Sequence, residues 1–137
     1  GADSKVELKE KKDRIEDAIY ATKAALKEGI VPGGGIALMD ASAKISAKAV
    51  GEKILLKAIQ SPFYTILDNA GIEYPDHNDQ WSKIEGGGID VVTGESVDMI
   101  KSGIIDPVLV TKSALKNAVS VVSTIISADC VISNMRD

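Results

Sequence analysis

The sequence predicts a mostly α-helical domain with one small β-hairpin and a short edge strand at the C-terminus. Apolar residues recur at helical spacing over most of the chain. The helical pattern stops between Gly71 and Gly88, where Asp, Asn, Pro and Gly are common, and this segment is expected to be a loop. Two short apolar runs then flank a glycine-containing turn at Thr93–Glu95, which is typical of a hairpin. With 137 residues, 45% of them hydrophobic, the chain can bury a core.

The first predicted helix runs from Ser4 to Glu28. Ser4 suits an N-terminal cap, and Glu7 three residues later completes a capping-box pattern. Gly29 supplies a stop. Apolar residues occupy only one stripe of this helix, so we expect it to project from the compact part of the domain. The following segment, 30–35, ends in three glycines and is predicted to be a hinge-like connection.

Further helices are predicted over 36–48, over 50–60 and from Ser61-Pro62 to about residue 70. The hairpin strands are expected at 89–92 and 96–99. Asp106 and Pro107 then form an N-cap followed by proline at the first helical position. The last helix is apolar on several sides, which predicts a deeply buried helix. Residues 130–133 are predicted to form the terminal strand, which needs a partner from elsewhere.

The composition disfavours several classes of function. The net charge is −4, and the basic residues are scattered, whereas nucleic-acid binding requires a basic face. The longest apolar run, residues 119–128, is interrupted by Ser and Thr and is shorter than the roughly 20 residues of a membrane span. No signal-peptide pattern is expected at the start of the sequence. The single cysteine, Cys130, excludes an intramolecular disulfide and suits a reducing compartment.

Few residues are candidates for chemistry when judged by pattern alone. Gly33, Gly34 and Gly35 precede a helix and could let backbone N–H groups approach an anion, but the spacing matches neither nucleotide-binding fingerprint, and a flexible turn is the ordinary interpretation. Asp17 could orient a water molecule or hold a metal ion, yet a charged helix face is usually only solvated. Asp106 is explained by its role as a helix cap.

No arrangement of nucleophile and base is evident in the sequence. His77 lies in the predicted loop near two aspartates and could bind a divalent ion weakly, although a solvated loop is the simpler interpretation. One Cys and one His are too few for a structural zinc site, so no metal site is predicted. The residues alone therefore predict a helical domain without a convincing active site.

Four ordered segments nevertheless resemble the group I chaperonins, the Hsp60 family. These segments are Val6–Gly29, Ile30–Leu38, Gly103–Ala118 and Ser127–Ser133. The resemblance implies that residues 1–30 are the C-terminal helix of an intermediate domain. It also implies that residues 31–137 are the C-terminal half of an equatorial domain, which binds ATP and makes ring contacts.

The resemblance implies specific roles in an ATP-driven protein-folding machine. Asp17 matches the catalytic aspartate that orients the attacking water. The positions that match nucleotide contacts are Gly33, Gly34, Asp90, Val91, Val92, Ile104 and Asp106. Of these, the stretch 90–92 matches the region around adenine, Ile104 lines the same pocket, and Asp106 matches the residue that bonds the ribose. At Asp90 the family usually has Asn, and alanines usually stand at the next two positions.

The resemblance also implies what the whole protein contains. Its phosphate-binding Gly-Asp-Gly-Thr-Thr motif, with a magnesium-binding aspartate, does not occur in these 137 residues, and neither does an apical domain. ATP and Mg²⁺ are thus expected as cofactors of the complete protein, and the isolated segment is expected to be inactive and to bind neither tightly. Expected partners are other subunits of a ring, unfolded polypeptides and a co-chaperonin. The expected location is the bacterial cytoplasm, or the matrix or stroma of a bacterium-derived organelle.

Two alternatives remain open at this stage. One is a non-catalytic interaction or scaffold module derived from a chaperonin, docking through its terminal strand or exposed apolar surface. The other is a divergent chaperonin whose nucleotide binding is weakened, because the carboxylate of Asp90 can accept but not donate a hydrogen bond.

Overall fold

The computed structural model describes residues 1–73, 86–130 and 132–133, and over these residues the protein is mostly helical. The predicted fold class is confirmed. The helices and strands, in chain order, are α1 (Lys5–Glu28), β1 (Ile30–Pro32), α2 (Ile36–Lys44), α3 (Val50–Ala58), α4 (Ser61–Ala70), β2 (Gly87–Asp90), β3 (Glu95–Asp98), β4 (Ile105–Pro107) and α5 (Val108–Ile126). Each predicted helix exists, although α2 ends four residues earlier than expected and α3 two residues earlier.

The ends of α1 are determined by local side-chain and backbone chemistry. The Ser4 hydroxyl accepts a hydrogen bond from the N–H of Glu7 at 3.1 Å, as the capping pattern predicts. The Glu7 carboxylate reaches one residue further back and accepts from the N–H of Asp3 at 3.0 Å. At the other end Gly29 adopts φ 85°. Because only Ala24 is buried along this helix, α1 is largely exposed, as expected from its single apolar stripe.

The strands form two small antiparallel sheets, one between distant segments of the chain and one in a local hairpin. β1 pairs with β4, so that Val31 lies opposite Asp106, and β2 pairs with β3 in the predicted hairpin. The prediction of a hinge over 30–35 was wrong for Ile30–Pro32, which form β1. Pairing with a strand more than seventy residues away leaves no local periodicity in the sequence, which is why this strand was missed.

The start of α5 also differs from the prediction. Asp106 belongs to β4 and is not the cap of the helix; Pro107 occupies the N-cap position in an extended conformation. No side-chain hydrogen bond caps α5. The same strand pairing is the reason, because β4 holds Asp106 extended opposite β1. The carboxylate of Asp106 is therefore not required for capping, which removes the ordinary explanation for this residue.

The core lies between the helices that follow the glycine turn and the hairpin. Its buried residues are Ile36, Met39, Phe63, Leu67, Ile89 and Met99. They come from α2, α4, β2 and the segment after β3, which are brought together although they are widely separated in sequence. The glycine turn lies directly at this core, because Ile36 is the first residue of α2 and is 1% exposed.

The prediction that the last helix is deeply buried was wrong for this chain. No residue of α5 is buried, and Ile126 remains 78% exposed. The accessible surface of the whole chain is 10609 Å², whereas a compact monomer of 14.4 kDa exposes roughly 6,800 Å². By length and composition α5 could cross a membrane, a test that the core helices of soluble proteins also pass. Within the described part of the chain, much of the apolar surface of α5 is thus left exposed.

Some predictions fall outside the described residues. The loop from residue 71 is described only to residue 73 and again from residue 86, so His77 lies outside the described part. Within the predicted terminal strand, residue 131 is not described, and Cys130, Ile132 and Ser133 lie in neither a helix nor a strand. Cys130 is exposed and unpaired with any other cysteine.

The start of α3 makes a testable electrostatic prediction. Glu52 accepts hydrogen bonds from the backbone N–H groups of Lys48 and Ala49, at 2.7 and 3.0 Å. The bond from Ala49, and then that from Lys48, lowers the pKa of Glu52 below its ordinary value of 4.5. A carboxyl with a depressed pKa in the folded state contributes stability above pH 4.5, and this contribution is lost as the pH falls through the folded-state pKa.

We therefore expect the N-terminus of α3 to loosen in acid in the native chain but to show no such pH dependence in Glu52→Gln. Amide exchange of the first turn of α3, followed from neutral to acidic pH, measures the effect. Glu95→Gln removes a carboxylate at the start of β3 and should preserve the acid response of α3. An identical acid response in the native chain and Glu52→Gln would contradict the assignment.

Candidate functional site

The three glycines between β1 and α2 form a tight, hydrogen-bonded turn. Gly34 and Gly35 adopt φ values of 63° and 80°, in the left-handed region that favours glycine. The N–H of Gly33 donates to the carbonyl of Ile104 at 2.9 Å, and its own carbonyl accepts from the N–H of Ile36 at 3.1 Å. The turn is therefore held in place by the segment that leads into β4.

Close packing around the turn leaves no room for side chains. A Cβ at Gly33 would lie 3.1 Å from the carbonyl carbon and oxygen of Ile104. A Cβ at Gly34 would lie 2.8 Å from the terminal methyl of Met99, and one at Gly35 would lie 2.7 Å from the backbone nitrogen of Phe63. Glycine is thus required for two reasons at Gly34 and Gly35, the positive φ and the close approach. The turn and Ile104, both predicted as nucleotide contacts, are adjacent.

Asp106 lies beside this turn. It is exposed, and it lines a large groove together with Pro32, Gly34 and Gly35. It also borders a second, smaller groove of about 170 Å³ between α1 and β4. The structure thus brings four of the predicted site residues together, namely Gly33, Gly34, Ile104 and Asp106.

Asp17 lies on α1 at some distance from the turn. Ala21, one helical turn further along α1, lines the smaller groove with Asp106. Asp17 is therefore about 6 Å further along the helix axis from that groove. It is exposed, and among the described residues it makes no ion pair. Asp17 itself lines neither groove.

The hairpin residues predicted to surround adenine are not brought to the groove. Asp90 ends β2, and its Oδ1 accepts from the N–H of Val92 at 2.9 Å, which closes the turn of the hairpin. Val91 and Val92 are 41% and 89% exposed. Neither they nor Asp90 are among the residues that line the two grooves described above. The base of the hairpin is connected to the site, because the N–H of Met99 donates to the carbonyl of Gly86 at 3.1 Å and a Cβ at Gly86 would lie 3.1 Å from Cγ of Pro32.

The large groove has a volume of about 930 Å³ and an almost entirely apolar lining. One wall consists of residues from α2, α3 and α4, including Leu38, Ile54 and Ile66, and the other wall is α5. Asp106 is the sole charged residue in this lining among the described residues. Polyphosphate binding requires cationic or N–H donors, and no Lys or Arg of the described ranges lines either groove. The groove therefore suits apolar side chains, and only its end at the glycine turn suits part of a nucleotide.

The described residues do not form a metal centre. No group of three or more His, Cys, Asp and Glu side chains comes together among them. The chemistry that they can supply is limited to hydrogen bonding by Asp106, to close backbone approach at Gly33 and Gly34, and to a carboxylate on α1. A Mg²⁺ ion bound to a nucleotide would need oxygen ligands in addition to these residues.

Sequence reasoning missed one residue at the centre of this arrangement. Met99 is 1% exposed and belongs to the buried core. Its terminal methyl lies 2.8 Å from the place that a Cβ at Gly34 would occupy. Its backbone is hydrogen-bonded to Gly86 on one side and to Ile104 on the other. A methionine at the end of a predicted strand carries no signal for such a position, because only the fold places it against the glycine turn.

The model of the TCP-1/cpn60 chaperonin family matches residues 1–136. The match includes α1, the glycine turn, both sheets and α5, so it covers every element that builds the candidate site. The chain belongs to the TCP-1/cpn60 chaperonin family.

Proposed function

We propose that this chain is the C-terminal segment of a group I chaperonin and contributes one side of its ATP site. Membership of the chaperonin family implies a role in ATP-dependent protein folding. The assignment to group I rests on the four segments that resemble that group, above all Val6–Gly29 and Gly103–Ala118. We assign residues 1–30 to the intermediate domain and residues 31–137 to the equatorial domain.

The observation that supports this proposal most strongly is the adjacency of Gly33, Gly34, Ile104 and Asp106. Two are glycines whose bare backbone allows close approach by a ligand. Asp106 is freed from helix capping and can accept hydrogen bonds from ribose hydroxyls. Ile104 offers an apolar side chain near the same turn. These groups suit the sugar and base of a nucleotide, and its phosphates would extend towards residues outside this segment.

Asp17 is proposed to act when α1 changes position. In the structure α1 is anchored at its C-terminal end, where Glu28 pairs with Lys112 on α5 at 2.7 Å. Its N-terminal part is exposed, so it can move without breaking a buried core. A carboxylate on such a helix would reach the attacking water only on closure, which couples hydrolysis to conformational change. Bound ATP and Mg²⁺ would supply the phosphoryl chemistry, which depends chiefly on positioning and charge stabilisation.

The hairpin is assigned to the base of the nucleotide. We propose that Asp90, Val91 and Val92 approach the base, although they lie at the exposed tip of the hairpin. The carboxylate of Asp90 accepts a bond from Val92 and still has lone pairs for an adenine amino group. Because it cannot donate, we expect weaker adenine recognition than an amide would provide.

The uncovered apolar surface supports a partnership with further chaperonin polypeptide. The groove between α5 and the helices α2–α4 is about 930 Å³ and almost entirely apolar. Covering the groove would bury the exposed apolar face of α5, and removing apolar surface from water lowers the free energy. We propose that the remainder of the equatorial domain fills this groove, and that ring subunits, unfolded polypeptides and a co-chaperonin are partners of the complete protein. The proposed location is the bacterial cytoplasm or an organelle derived from bacteria.

Titration of the purified chain with MgATP tests this division of the site. We expect binding weaker than about 1 mM by calorimetry, since charged phosphate contacts supply much of nucleotide affinity. Light scattering is expected to show association through the uncovered apolar groove.

In the complete protein Asp106→Ala should weaken MgATP binding. Micromolar binding by the chain alone would contradict the proposed division.

A second candidate function is a non-catalytic interaction module. The exposed α5 and the apolar groove favour it, because both provide a docking surface without any catalytic group. The two functions differ in the behaviour of the complete protein. Asp17 and Asp106 variants that hydrolyse ATP at the native rate would favour the interaction module.

A further inference from the structure

We propose that Met99 is a positioning residue of the nucleotide site, one that sets the spacing between the glycine turn and the hairpin β2–β3. The inference rests on the proposed function, because it assigns Met99 to the same site. It adds a buried residue that touches no nucleotide and acts through Gly34 and Ile104.

The side chain of Met99 lies between two glycines. Its terminal methyl is 2.8 Å from the position of a Cβ at Gly34, on the turn. Its Sδ and Cγ are 2.7 and 2.9 Å from the position of a Cβ at Gly88, in β2. Ile36 also approaches Gly88, at 2.8 Å, but it is not among the nearest atoms to Gly34. Met99 thus fills the space that separates the turn from the hairpin.

The backbone of Met99 connects the same elements. Its N–H donates to the carbonyl of Gly86, at the base of the hairpin, at 3.1 Å. Its carbonyl accepts from the N–H of Ile104 at 2.8 Å, and the carbonyl of Ile104 accepts from the N–H of Gly33 at 2.9 Å. Hydrogen bonds therefore run from the hairpin through Met99 and Ile104 to the glycine turn.

A change in the volume of this side chain would therefore displace two site elements together. Protein interiors are closely packed, so a gap at one buried residue shifts the atoms around it. Methionine suits such a position because its unbranched thioether fits irregular spaces. Leu67 provides a contrast within the same core, because it is fully buried but is not among the nearest atoms to any glycine of the turn.

The test uses the complete chaperonin that contains this segment. We expect Met99→Ala to raise the Kd for MgADP about tenfold, through misplacement of Gly34 and Ile104. Met99→Leu keeps most of the volume and should stay within about twofold of the native Kd. Leu67→Ala is the matched control: it should lower the melting temperature at least as much as Met99→Ala but leave the Kd within about twofold.

A second variant covers the possibility that Met99→Ala does not fold. Gly88→Ala adds a methyl group against Met99 without opening a cavity, and it should also raise the Kd. The positioning role would be overturned if Met99→Ala bound MgADP with the same Kd as Leu67→Ala. The same conclusion would follow if Gly88→Ala bound MgADP with the same Kd as Leu67→Ala. Asp106→Ala separates this failure from a failure of the proposed function. If Asp106→Ala binds MgADP like the native protein, the site itself is wrongly assigned; if it binds weakly while Met99→Ala matches Leu67→Ala, only the inference about Met99 fails.

Discussion

Replacing Asp17 with alanine is expected to lower the ATP turnover of the complete chaperonin about a hundredfold or more. The proposed role of its carboxylate is to orient the water that attacks the terminal phosphate, and no other acid on α1 is assigned to that role. Nucleotide affinity should change little, since Asp17 lies away from the glycine turn in the present conformation. Steady-state phosphate release and calorimetric titration with MgADP measure the two effects separately.

Asp13→Ala is the matched control for this prediction. Asp13 is another exposed carboxylate on α1, one helical turn before Asp17. Its removal changes the charge and the helix propensity in the same way, and turnover should remain near the native rate. Equal turnover in the native protein and Asp17→Ala would disprove the catalytic assignment. A similar loss in both variants would mean that the charge of α1, rather than Asp17 itself, supports hydrolysis.

The second large effect is expected at Gly35, where alanine should destabilise the chain by about 2–4 kcal/mol. Two causes add: the φ of 80° disfavours any side chain, and a Cβ would lie 2.7 Å from the backbone nitrogen of Phe63. Backbone at the start of α4 cannot move aside as the end of a flexible side chain can. Thermal unfolding followed by circular dichroism should show a melting temperature lower by about 10 °C.

Gly51→Ala serves as the control for the same substitution at a permissive site. Gly51 lies within α3, and a Cβ there would have no heavy atom within 4 Å. Alanine in a helix is favoured over glycine by roughly 0.5–1 kcal/mol, so this variant should be slightly more stable than the native chain. A melting temperature unchanged in Gly35→Ala would show that the glycine turn is not packed against α4 as described.

Much of the fold was predictable because it depends on local chemistry. The start of α1 follows from the Ser4 hydroxyl and the N–H of Glu7, three residues apart. The end of this helix follows from Gly29, and the hairpin follows from the glycine-containing turn between two short apolar runs. Such signals act over a few residues, so their outcome does not depend on the rest of the molecule.

The errors arose where distant segments meet. Whether residues 30–32 form a hinge or a strand is decided by their pairing with β4, and the same pairing releases Asp106 from capping α5. The burial of α5 was overestimated. An apolar helix indicates that a packing partner is needed, but its sequence does not indicate which polypeptide provides that partner. For the candidate site, four ordered segments indicated the chaperonin family, but the spacing of single residues could not distinguish a binding turn from an ordinary one.

The sequence by itself determined the helical class, the limits of α1, the hairpin and the resemblance to chaperonins, since caps, turns and periodicity are short-range properties. Only the tertiary structure decided which candidates are neighbours. It brought Gly33, Ile104 and Asp106 together through strand pairing and backbone hydrogen bonds, and it left Asp90 at the tip of the hairpin. It also placed Met99 between two glycines. Contacts between residues far apart in sequence depend on packing of the whole chain, and no local pattern records them.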